Sequence, residues 1–127
     1  MQDQKGTGKK LLVAEDNPIN LLVVTRFLES FGYEYEAVDN GLDCLKRLRE
    51  NDYDLLLTDI SMPKMDGIQV ATEIRLMTDD KCGIPIIAMT ANAAPSDAER
   101  YEKAGINEVL IKPFNKAELL RCIENWL

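Results

Sequence analysis

The 127 residues include no histidine. That absence excludes every Ser–His–Asp triad, Cys–His dyad and histidine metal site within them, and also a self-contained histidine phosphotransfer donor. Cations are in deficit, with 15 Lys and Arg against 22 Asp and Glu and a formal net charge of −7. Such a surface repels phosphate backbones, which argues against direct nucleic-acid binding. No apolar run approaches the ~18 residues of a membrane span, and nothing reads as a signal peptide, so no membrane contact is expected. Cysteine is scarce and odd in number: Cys44, Cys82 and Cys122 make neither a metal spacing nor a disulfide frame. They read as reduced packing residues of a cytoplasmic protein. Chemistry is left to carboxylates, hydroxyls and lysine.

What is present is an ordinary globular composition, 46% hydrophobic and 29% charged, enough for one core. Residues 1–9, "MQDQKGTGK", are polar and read as a linker or overhang, leaving 10–127 as the domain. Apolar runs follow at "KLLVAE" (10–15), "YEYEAV" (33–38), "DLLLTD" (54–59), "IPIIAMT" (84–90) and "EVLIK" (108–112). Continuous runs bounded by turn signals predict strands buried on both faces, and the alternating second run predicts an edge.

Helices are predicted between them. Asn17 can cap a helix with Pro18 at its first position, and Leu21, Val24, Leu28 and Phe31 recur at helical spacing up to Gly32. The next stretch places Leu42, Leu45 and Leu48 on one side. A third helix is expected over roughly 66–78. Ser96 with Glu99, and Asn115 with Glu118, stand at capping-box spacing before two more. The last should bury Leu119 or Leu120, Ile123, and Trp126 or Leu127. Strict alternation implies an α/β fold, a parallel sheet with helices on both faces. Ligands of such sheets sit at the carboxyl ends of the strands.

Those ends carry chemistry. The first strand ends in Glu15-Asp16, the third in Asp59, the fourth in Thr90 and the fifth in Lys112-Pro113. In parallel strands they converge as three carboxylates, a hydroxyl and an ammonium. Three carboxylates repel unless a cation joins them, and a few hard oxygens suit Mg²⁺, with Mn²⁺ as the alternative ion. Asp59, kept ionised, could attack phosphorus to give an acyl phosphate, while Lys112 and Thr90 meet the phosphoryl oxygens. Taken singly, each signal is more often structural: a strand-end Asp caps a helix or forms a turn, and a lone Lys is solvated. Their coincidence at four strand ends carries the reading.

With "VAEDNPIN", "LLLTDISMPKMDG", "IIAMTAN" and "VLIKPF" in this order, residues 10–127 resemble the receiver domain of two-component response regulators, above all receivers attached to hybrid histidine kinases. The resemblance implies a flavodoxin-like, doubly wound five-stranded sheet of order 2-1-3-4-5 with five helices. It implies Asp59 as phosphoacceptor, Mg²⁺ on Asp16, Asp59, the Ser61 backbone carbonyl and, mostly through water, Glu15, and phosphoryl binding by Thr90 and Lys112. It further implies a cis Lys112–Pro113 bond, a loop shaped by Pro63 and Gly67, packing roles for Met62 and Met65, and Ser61 and Asn92 as tuners of dephosphorylation. Donors would be a histidine kinase or a histidine phosphotransfer protein, contacted by the first helix and the loops around the site, with Ile19 and Leu22 as candidate contacts and Leu22 equally a candidate for the core. The domain would catalyse its own aspartyl phosphorylation and dephosphorylation; its oligomeric state is left open, a monomer being compatible with the sequence. Val109 departs from the pattern, occupying the place where many receivers carry Tyr or Phe, so relay is expected to outweigh output gating.

Three other readings compete. An aspartyl-nucleophile Mg²⁺-dependent phosphatase would need a D-x-D pair on the first strand, which here ends "EDN". A flavin or nucleotide module would need a Gly- or Thr-rich phosphate loop there. An unphosphorylated docking scaffold would not need the complete set of site residues.

Overall fold

Leu55, Leu56 and Leu57 are consecutive and wholly buried, which a strand allows only when both faces are covered. The computed structural model describes residues 8–91 and 95–127, with side chains from 97 onward in the second stretch. The elements in chain order are β1 (Lys10–Ala14), α1 (Pro18–Phe31), β2 (Glu34–Val38), α2 (Gly41–Glu50), β3 (Leu55–Asp59), α3 (Gly67–Arg75), a 3₁₀ turn (Asp80–Gly83), β4 (Ile86–Thr90), α4 (Pro95–Lys103), β5 (Glu108–Ile111) and α5 (Lys116–Trp126). All five strands are parallel, in the order β2-β1-β3-β4-β5. This is the expected doubly wound sheet, with β2 at an edge.

Side-chain alternation divides the core in two. Leu12, Leu56, Ile86 and Ala88 face Leu45, Leu48, Val70, Ile74 and Tyr101 of α2, α3 and α4. Leu11, Val13, Leu55, Leu57, Ile87 and Met89 face Val24, Leu28, Leu119 and Ile123 of α1 and α5. Truncating any of these leucines to alanine costs about 2–5 kcal/mol.

Helix boundaries follow local chemistry. The Asn17 side chain accepts from the Ile19 and Asn20 amides at 2.9 and 3.0 Å, and Gly32 ends α1 at φ 87°. Asn115 and Glu118 form the predicted capping box. For the other box, the Ser96 side chain lies outside the described side chains.

Three expectations are corrected. Leu42 is 49% exposed, and the buried stripe of α2 is Gly41, Cys44, Leu45 and Leu48. At ~100° per residue Leu42 sits ~110° from the centre of that stripe. Helix α3 stops at Arg75, short of 78, because Asp79 accepts from the Lys81 amide and turns the chain into the 3₁₀ segment. On α5, Leu119 and Ile123 are buried as expected, together with Cys122. Trp126 and Leu127 are 37% and 39% exposed, and the Trp126 indole N–H donates to Glu108 at 2.7 Å.

Candidate functional site

Register brings the strand ends level. Ala14 pairs with Thr58, Asp59 with Met89, and Thr90 with Ile111, so the residues that follow β1 and β5 flank the last residues of β3 and β4. Backbone bonds continue past the strands: the Glu15 amide donates to Val38, and the Lys112 amide donates to Thr90. Glu15, Asp59 and Thr90 are buried, and Asp16 is exposed.

The carboxylates of Glu15, Asp16 and Asp59 each place an oxygen within 4.8 Å of the others. One ammonium bridges two of them: Lys112 Nζ lies 2.9 Å from Glu15 Oε1 and 3.2 Å from Asp59 Oδ2. The other Glu15 oxygen accepts from the Asn17 amide at 3.1 Å. Burial pushes the Glu15 carboxyl above its ordinary range, against the lowering pull of Lys112 and the Asn17 amide. For Lys112, burial works downward, but the hydrogen bond to Glu15 and the negative charges of Asp59 and Glu15 outweigh it and raise the pKa. The donor set, three carboxylates reached from solvent through Asp16, fits a hard divalent cation.

Two glycines hold the loop after Asp59. A Cβ on Gly67 would lie 2.5 Å from the Asp59 carbonyl oxygen, and one on Gly41 would collide with that of Met65. Only glycine lets α3 and α2 approach this closely. The Gly67 amide donates to Ile60 at 2.8 Å, and the Met65 amide to Pro63 at 2.7 Å across Lys64 at φ 69°. Met62 and Met65 pack against the core beneath α2 and α3.

Asp59, Ser61, Thr90 and Lys112 line one cleft of about 460 Å³. Glu15 and Asp16 complete the acidic cluster beside it. Lys112–Pro113 is cis. Val109 pairs with Ala88 and packs into the core. Asn92 lies outside the described residues. The far wall of the cleft, Asp97, Arg100 and Tyr101 of α4, was not foreseen, because a helix pattern gives no sign of which residues overhang a strand end. Gly41 was missed too, though the pair Asn40-Gly41 ahead of a helix was available as a signal.

The sequence matches the response regulator receiver domain family over residues 11–124. It is 39% identical over 114 residues to the autoinducer 2 sensor kinase/phosphatase LuxQ of Vibrio vulnificus, covering 90% of this chain and 13% of that protein. It is 38% identical over 126 residues to the peroxide stress-activated histidine kinase mak1 of Schizosaccharomyces pombe, covering 95% of this chain and 8% of that protein. The chain therefore spans a small part of the length of these relatives. Among solved structures, the receiver domain of sensor histidine kinase PA1611 from Pseudomonas aeruginosa, with a magnesium ion coordinated in its active site cleft, superposes with a TM-score of 0.87 at 39% identity, covering 94% of this chain and 97% of that one. The receiver domain of Ssk1 from Saccharomyces cerevisiae, solved with the histidine phosphotransfer protein Ypd1, gives 0.83 at 26% identity, covering 93% and 88%.

Fold, acidic cleft and sequence together define a phosphorelay signalling module. The chain belongs to the response regulator receiver domain family and is a receiver domain of two-component signalling.

Proposed function

We propose that Asp59 is the phosphoacceptor and that the donor is a phosphohistidine on a histidine kinase or a histidine phosphotransfer protein. The observation that carries this is the Asp59 carboxylate itself: nearly buried at a strand end, 3.2 Å from the Lys112 ammonium and grouped with Glu15 and Asp16. An Asp59 oxygen forms the new bond to phosphorus. The bond from phosphorus to the donor imidazole nitrogen breaks, and its electron pair stays on the imidazole. Lys112 and the Thr90 hydroxyl meet the charge on the phosphoryl oxygens. Glu15, Asp16, Asp59 and the Ser61 carbonyl would hold Mg²⁺ or Mn²⁺, which when bound supplies positive charge to those oxygens. The PA1611 receiver, with a magnesium ion coordinated in its active site cleft, supports a divalent ion at this place.

Helix α1 is the docking face for the donor. Ile19 is 73% exposed, Leu22 52% and Val23 43%, and Val23 borders a groove of about 430 Å³ with Asn20, Ala91, Pro113 and Phe114, leading to Glu15 and Lys112. A helix carrying phosphohistidine would bury this apolar strip and bring its ring to the cleft. The Ssk1 complex with Ypd1 supports a partner of this kind. Residues 10–127 form the receiver unit, and 1–9 a linker or overhang. The domain is cytoplasmic, and it is either part of a hybrid histidine kinase, which the relatives favour, or a stand-alone regulator. Val109 supports relay over output gating. Large beryllofluoride-induced shifts throughout α4 and β5 would refute that last point.

The direct test is incubation with a small phosphodonor and Mg²⁺, followed by intact mass. One acid-labile phosphoryl group should appear, absent in Asp59→Asn. No mass change in the parent chain rejects the proposal.

A further inference from the structure

We propose that Arg100 of α4 is a phosphoryl-binding residue, a second cation for the group that Asp59 carries; this rests on Asp59 being the acceptor. Conversion of Asp59 to an acyl phosphate replaces one negative charge by about two. Lys112 is already engaged by Glu15 at 2.9 Å and by Asp59 at 3.2 Å. With Glu15 and Asp16 ionised, that lysine and a divalent ion leave about one negative charge of the phosphorylated site unbalanced. Among the described residues lining the cleft, Arg100 is the other cation, standing with Asp97 and Tyr101 on the wall formed by α4.

Arg100 is placed to be recruited. Its guanidinium lies 5.8 Å from the ring centroid of Tyr101, a residue only 4% exposed, so the aromatic ring provides a fixed backing. Its counter-charge is weakly held: Arg100 Nη2 and Asp97 Oδ1 are 4.0 Å apart, the outer limit of an ion pair. A phosphoryl dianion offers several acceptor oxygens to a planar fork of five donors and competes well with a single distant carboxylate. Asp97 thus acts as a parking partner that holds the guanidinium aside until the phosphoryl group arrives. The Arg100 side chain is 60% exposed, so solvent screens the interaction and its effect is graded.

The test uses the whole chain with Mg²⁺ and beryllofluoride as the phosphoryl mimic, with affinity read by ¹⁹F NMR. At low salt Arg100→Gln should weaken binding about two- to fivefold, the range of an exposed ion pair. Arg100→Lys should retain part of the affinity, and Asp97→Asn should strengthen binding. The differences should collapse at about 0.5 M salt, which loss of a packing contact would not do. In the parent protein the Arg100 Nε–H resonance should shift on beryllofluoride addition. Affinity unchanged in Arg100→Gln, or weakened in Asp97→Asn, overturns the proposal. If the parent binds no beryllofluoride, the Asp59 assignment fails and this one with it.

Discussion

Replacing Asp59 by asparagine should stabilise the metal-free protein while abolishing its chemistry. The carboxylate oxygens of Glu15, Asp16 and Asp59 lie within 4.8 Å of one another. At an effective dielectric of about 40, between surface and bulk values, each repulsion involving Asp59 is roughly 1.7 kcal/mol at that separation, and there are two of them. Against them stands one attraction, to Lys112 at 3.2 Å, of roughly 2.6 kcal/mol on the same scale. The net is about 1 kcal/mol of destabilisation carried by the Asp59 charge. Burial of that charge adds to it with the same sign. Asparagine is nearly isosteric and keeps an oxygen to accept from Lys112, so the charge terms should dominate. Magnesium reverses the order: an ion at about ten times its Kd stabilises the parent by roughly 1.4 kcal/mol, and the variant, with one carboxylate fewer, gains less. Urea unfolding followed by far-UV circular dichroism, with EDTA and then with Mg²⁺, measures both effects. An Asp59→Asn protein less stable than its parent in EDTA, or equal Mg²⁺ gains in the two, would refute this electrostatic account.

Three further outcomes concern other positions. Arg75 uses all five of its N–H donors, on the carbonyls of Gly105, Cys82 and Ile84 and on Asn107 Oδ1, tying the end of α3 to the entries of β4 and β5. Lysine has three donors and no fork, so Arg75→Lys should lower stability by about 2 kcal/mol, and an unchanged urea midpoint would count against the reading. Glu36 accepts from Tyr53, Lys10 and Arg47, and its carboxyl is held down to about 2, chiefly by the Tyr53 hydroxyl and next by Lys10. Its folded pKa is below the unfolded value of 4.5, so this contribution is full above 4.5 and is lost as pH falls toward 2. Tyr53→Phe should therefore flatten the acid limb of a stability–pH profile, and identical slopes would exclude the linkage. Gly67→Ala, by forcing a Cβ to 2.5 Å from the Asp59 carbonyl, should displace the loop that carries Ser61. A Mg²⁺ affinity unchanged from the parent would show that the close approach is not needed.

Much of this protein was legible in order along the chain. Apart from the alternating β2, the strands are marked by apolar runs, and helices α1 and α5 announce themselves by Asn17-Pro18 and by the Asn115–Glu118 box. Because strands in such a sheet run the same way, a polar residue at the end of each run is also a polar residue at one edge of the sheet. The residues of the site could therefore be named before any contact was known. The strand order came from resemblance to receivers, since alternation alone leaves the order of parallel strands open.

What only the tertiary structure decided depends on approach between elements distant in sequence. Leu42 reads as part of an apolar stripe but lies outside it, because Gly41 must seat α2 against Met65. The five bonds of Arg75 reach carbonyls 7 to 30 residues away and its asparagine partner at 32, and no local pattern encodes them. The α4 wall of the cleft, with Arg100 and Asp97, is likewise a product of how a helix packs. By itself the sequence determined which residue types end each strand, and with them the chemistry available: Asp59, its acidic neighbours and Lys112. Folding decided their separations, and with them that one ammonium, 2.9 Å from Glu15 and 3.2 Å from Asp59, bridges two carboxylates. Periodicity and end chemistry are local properties of a chain; distance across a sheet edge is a property of packing.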